Sequence, residues 1–129
     1  MNKKEFNALI KDHPIFLDGA TGSNLLKRGM PAGVCPEQWI LEHKDVLITL
    51  QREFIEAGSN IIYAPTFSAN RVKLKEYGLE EKIREMNHAL VAASKDAAGE
   101  PAYVAGDITM TGEPHAPVGL MDFEELIHN

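Results

Sequence analysis

The chain has 129 residues, 44% of them hydrophobic and 25% charged, enough for one domain with a real core. Nineteen Asp and Glu against thirteen Lys and Arg give a net charge of −6, which argues against nucleic acid or an anionic membrane as partner, because both reward a basic surface. The single cysteine excludes an internal disulfide and, with no signal peptide, points to a reducing cytoplasm; no apolar run nears the roughly 20 residues that span a bilayer.

Residues 2–12 predict a helix. Asn2 caps it, Glu5 sits three residues on, and Phe6, Leu9 and Ile10 make an apolar face. His13-Pro14 ends it, because the residue before proline avoids the α region. Pro14 to Leu17 reads as a first strand that delivers Asp18 into the small turn Gly19-Ala20-Thr21-Gly22. A short helix over 23–28 ends at Gly29. Pro31, Gly33 and Pro36 break the next stretch, with one helical turn from Pro36. A helix from Asp45 places Val46, Leu47, Leu50, Phe54 and Ala57 on one face, and Gly58 follows it.

A second strand is expected at Asn60 to Ala64, then a helix from Asn70 to Tyr77 closed by Gly78. Leu79, Ile83, Met86, Leu90, Ala93 and Ala97 form one helical stripe that Gly99 terminates. A third strand runs from Ala102 to Ala105, and 106–121 is a loop rich in Gly, Pro and Thr. Asp122, with Glu125 three residues on, caps a last helix from Phe123 to Asn129. Strands alternating with helices imply parallel pairing through right-handed crossovers. Three such strands need cover on both faces or closure into a barrel. The expected class is therefore α/β, the first part of a larger (β/α) domain with its last helix cut short and no second domain in 1–129.

Four segments carry a resemblance: LDGATGS at 17–23, EFIEAGSNIIYAPTFSANRVKL at 53–74, YGLEEKIREMNHALVAA at 77–93 and GDITMTGE at 106–113. In this order and spacing they resemble the N-terminal part of the homocysteine S-methyltransferase family. The second and third are most similar to the cobalamin-dependent methionine synthase type. The resemblance covers nearly the whole chain. It implies the first three strand–helix units of a (β/α)8 TIM barrel, truncated before the barrel closes, at whose C-terminal face three cysteine thiolates hold zinc. In that family the zinc keeps the homocysteine sulfur as thiolate, which takes a methyl group from a donor and becomes methionine.

Cys35 is the only cysteine and matches no family ligand, so zinc is expected for the complete domain with its ligands outside this chain. No residue of this chain is assigned a catalytic role, and the isolated chain is expected to be inactive. The resemblance leaves it the amino-acid-binding side of the pocket. Methyltetrahydrofolate through cobalamin on another module, S-methylmethionine, or another methylated compound would each fit as donor. A second reading, from another class, is a non-catalytic fragment whose open strand edges pair with another copy, giving a homo-oligomer.

From the bare sequence, Asp18 is a cap for the next helix or a ligand-binding acid. The family match favours the acid, because the corresponding residue helps bind the substrate's α-ammonium, and a charge-assisted bond suits that. Gly19, Ala20, Thr21 and Gly22 allow close backbone approach. Their spacing is not that of a phosphate loop. Thr66 and Phe67 follow the second strand as helix cap and packing residue, or as pocket wall. Ser68 stands where betaine-using relatives carry tyrosine. Asp107 binds ligand or holds neighbouring loop amides, and Thr111 and Gly112 line the pocket through backbone. Asn70 and Arg71 are solvent-facing residues at a helix start, or Arg71 meets an anionic donor. Trp39 reads as rim packing. The five histidines have no metal-binding spacing.

Overall fold

The computed structural model describes residues 2–128. The first helix, α1, runs Lys3–Asp12 and carries the expected capping box: Asn2 Oδ1 accepts from the Lys4 and Glu5 N–H groups, and Glu5 reaches back to the Asn2 N–H at 2.8 Å. Three helices follow, α2 at Thr21–Lys27, α3 at Pro36–Glu42 and α4 at Lys44–Glu56. The expected single turn at Pro36 is thus a seven-residue helix, with the proline at its start.

The sheet is small and parallel. Strand β1, Ile61–Ala64, pairs with β2, Tyr103–Gly106, in the register Ile61 with Tyr103 through Ala64 with Gly106. The first strand expected over Pro14–Leu17 is reduced to one parallel bridge, Leu17 to Ile61. Its backbone does run beside β1: Asn60 N–H donates to Phe16 C=O at 2.8 Å, and Asp18 N–H to Ile61 C=O at 3.1 Å. Phe16 and Leu17 stay exposed, and proline supplies no N–H, so the segment is held on one side only. The observed class is mixed α/β around a small parallel sheet, with the first expected strand shortened to that bridge.

Between β1 and β2 lie α5 (Arg71–Lys75), a 3-10 turn (Glu80–Lys82) and α6 (Ile83–Ala98). Asn70 caps α5, its Oδ1 accepting from Lys73 N–H at 2.9 Å. The expected stripe is real. Leu79, Met86, Leu90, Ala93 and Ala97 are buried and Ile83 packs beside them, although Leu79 precedes the 3-10 turn. Gly99 ends α6 at φ +54°, a conformation that favours glycine. Helices α4 and α6 pack together over one side of the sheet, where Ile62, Ala97, Ala98 and Ala102 form one cluster. Leu25, Ile40, Leu47, Leu50 and Leu90 form another between the helices.

On α4 the apolar face holds for Leu47 and Leu50, with Val46 and Phe54 partly buried. Ala57 is exposed, because it is the residue that ends the helix. Gln51 is fully buried instead, and its Nε2 donates to Tyr63 C=O at 2.9 Å, fastening α4 to β1. The last helix, α7, spans Phe123–His128, and Asp122 Oδ1 accepts from Glu125 N–H at 2.7 Å. The expected end of that helix at Asn129 lies outside the described residues.

Candidate functional site

The C-terminal end of β1 and the turn after Leu17 enclose a cleft of about 320 Å³. Parallel strands place ligands at this end, because the connecting turns converge there. Asp18 forms one side. Its Oδ2 accepts the Tyr63 N–H at 3.0 Å, so the side chain is fixed by the central strand. Burial pushes the Asp18 carboxyl up from its ordinary value of 3.8; the Tyr63 and Asp18 N–H groups oppose this, and the Asp107 charge adds to it. An acid in that state gains from a cation that replaces the lost water.

Gly19 and Thr21 line the same cleft, as do Phe67 and Asp107. A Cβ on Gly19 would lie 2.9 Å from the Phe54 ring, so a larger residue there must displace an aromatic that packs on the core. Ala20 is exposed and precedes α2; its C=O accepts from the Asn24 side chain at 2.7 Å. Thr66 does not line the cleft. Its hydroxyl donates to Asp107 C=O at 2.8 Å and accepts from Asp107 N–H at 3.0 Å, tying the ends of β1 and β2 together. Helix capping, one alternative for Thr66, is performed by Asn70. Phe67 is 55% exposed and forms a wall beside Ser68.

The structure therefore gathers Asp18, Gly19, Thr21, Phe67 and Asp107 around one opening, with Thr66 behind it. Leu25, Ile40 and Pro36 make the apolar floor. Two carboxylates above an apolar floor suit a small amphiphile with an ammonium at one end and an apolar stem.

Glu37 carries no signal in the sequence. It is 4% exposed, and its Oε1 accepts the Ser68 N–H at 3.0 Å while Cys35 Sγ lies 3.5 Å from Oε2. An acid in a helix's first turn is usually solvated, and no neighbouring residue type marks this one as buried. Trp39 stacks on His43 with ring centroids 4.2 Å apart, a rim contact within one helix end.

A thiolate-bound metal does not fit this donor set. Among the described residues no three His, Cys, Asp or Glu gather as a metal site. The one thiol is buried, which pushes its pKa up from 9.0; the Gln38 N–H opposes this and the Glu37 charge adds to it. No helix among the described residues is long and apolar enough to cross a membrane.

Residues 15–129 match the family described as homocysteine S-methyltransferase. The S-methylmethionine–homocysteine S-methyltransferase of Pongo abelii is 36% identical over 96 residues, covering 73% of this chain and 25% of that protein. The betaine–homocysteine S-methyltransferase 1 of Sus scrofa is 36% identical over 100 residues, covering 73% and 36%. The homocysteine methyltransferase MmuM of Escherichia coli, in its metallated form, superposes with a TM-score of 0.67 at 22% identity, covering 80% of this chain and 40% of that one. That likeness shows a shared fold. The chain spans between a quarter and two fifths of the length of these three proteins.

Proposed function

We infer function from one premise: the chain belongs to the homocysteine S-methyltransferase family. Our reading is that residues 1–129 are the N-terminal portion of one (β/α)8 domain, its first three strand–helix units, and bind the amino end of homocysteine. The sulfur of that substrate accepts a methyl group to give methionine, and the chain by itself does not complete the reaction. The observation that carries this reading is Asp18: a half-buried carboxylate, fixed by the Tyr63 N–H, at the opening of a cleft with an apolar floor.

In this reading Asp18 takes the ammonium through a charge-assisted bond. Gly19, Ala20 and Thr21 shape the turn around it, and Phe67 covers the carbon stem. Asp107 adds negative charge, and Thr66 holds Asp107 in place. Zinc of the complete domain draws its ligands from outside the described residues. Methyltetrahydrofolate through cobalamin, as in the methionine synthase type, and S-methylmethionine both fit as donor. Ser68, where betaine-using relatives carry tyrosine, leans away from betaine. The lone buried cysteine suits a cytoplasmic protein.

Calorimetric titration of the full chain with homocysteine tests the reading. It predicts binding that Asp18→Ala abolishes. Unchanged affinity in the variant removes Asp18 from the substrate role.

One observation favours a second reading, a non-catalytic module that self-associates. The outer edge of β2 is unpaired among the described residues, and Ile108, Met110, Val118 and Leu120 beyond it are exposed. Sedimentation discriminates: a monomer at all concentrations would exclude it.

A further inference from the structure

We propose that Glu37 is a positioning residue for the cleft: its buried carboxylate fixes the turn after β1 against α3, and so sets the wall that Phe67 presents to the ligand. For its ligand the proposal rests on the homocysteine reading; the rest comes from the geometry of this chain.

Carboxylates are almost never this buried unless they are paired. Glu37 takes part in no ion pair found among the described residues. Lys73, which lines a cavity on the far side of Glu37, pairs with Glu76 instead. The acid is satisfied by an N–H and a thiol. One of its oxygens holds Ser68, which is 31 positions away in sequence. Pro36, the neighbour of Glu37, and Ser68 both line the cleft, so this bond joins two of its walls.

Phe67 lies between two such ties. On one side the Thr66 hydroxyl is bound to the Asp107 backbone; on the other the Ser68 N–H is bound to Glu37. The ring is exposed, so packing alone does not set its place. An apolar residue at position 37 would avoid the desolvation cost of a buried acid. It would leave the Ser68 N–H without its acceptor and the turn free to open.

The test combines amide exchange by NMR with calorimetric binding of homocysteine to the full chain and to Glu37→Ala and Glu37→Gln. In the unmodified chain the Ser68 amide exchanges at least about tenfold more slowly than the neighbouring Phe67 amide, as expected for a bond to a buried acceptor. Glu37→Ala removes that difference and weakens homocysteine about tenfold, while Glu37→Gln, which keeps a carbonyl acceptor, restores both to within about threefold. An unprotected Ser68 amide in the unmodified chain overturns the proposal. So does a Glu37→Ala protein that loses the protection yet binds homocysteine unchanged, or a Gln variant that restores neither property. If Glu37→Ala does not fold, the exchange ratio of the unmodified chain and the Gln variant decide. An unmodified chain that binds no homocysteine defeats the functional reading instead, and the exchange ratios then decide whether Glu37 holds the turn.

Discussion

Strands β1 and β2 are neighbours in one sheet, yet their C-terminal ends differ. The end of β1 is held by three bonds that span long stretches of sequence: Asp18 accepts from Tyr63 N–H, Glu37 accepts from Ser68 N–H, and the Thr66 hydroxyl of this end reaches the Asp107 backbone. Among the described residues the end of β2 has the Thr66 tie alone of these three, and it runs into Ile108, 96% exposed, and Met110, 81% exposed. The difference teaches where ligand chemistry can sit. A carboxylate must be held by converging bonds before its burial yields a defined site. Asp107 at the second end lines the cleft, and the chain beyond it runs into exposed apolar side chains.

The sharpest break in this comparison comes from the core between the helices that carries β1. Leu90→Ala should cost about 2–5 kcal/mol, because it empties a fully buried site, and urea denaturation will measure it. Equal loss from Ile108→Ala would erase the distinction. Next is the tie between the two ends. Thr66→Val keeps the shape but leaves the part-buried Asp107 N–H and C=O without partners, a loss of about 1–3 kcal/mol in the same measurement.

A smaller effect belongs to Asp18. Its folded pKa is raised, so the folded chain holds this proton to higher pH than the unfolded chain does. Stability therefore falls as pH rises from 3.8 through the raised folded value, and is level above it. Asp18→Asn removes that part of the slope and raises the urea midpoint at pH 7, and it also removes the charge proposed to take the ammonium. A steeper slope in the variant would contradict that sign. The smallest change is expected at the far end, where Ile108→Ser should alter stability by no more than about 0.5 kcal/mol.

Much of this fold is legible from the sequence because its signals are local. The Asn2 and Asp122 caps and the stripe from Leu79 to Ala97 need only near neighbours, and they appear where spacing places them. The first strand is less legible, because a strand's extent depends on partners and Pro14–Leu17 has one on a single side. Asp18 could be singled out as an acid after an apolar run. That its carboxylate would meet the Tyr63 N–H, 45 positions on, is a tertiary fact. Glu37 and Gln51 are the clearest limits. Both are polar residues on helices, and only the packed structure buries them and supplies their bonds.

The central claim is that Asp18 receives an ammonium group, and a thermodynamic cycle tests it directly. Homocysteine and its analogue without the amine, 4-mercaptobutanoate, are titrated into the unmodified chain and into Asp18→Asn. The account predicts that removing the amine weakens binding at least about tenfold in the unmodified chain, the scale of a charge-assisted bond, and has little effect in the variant. An equal loss in both proteins would place the ammonium elsewhere and contradict the claim.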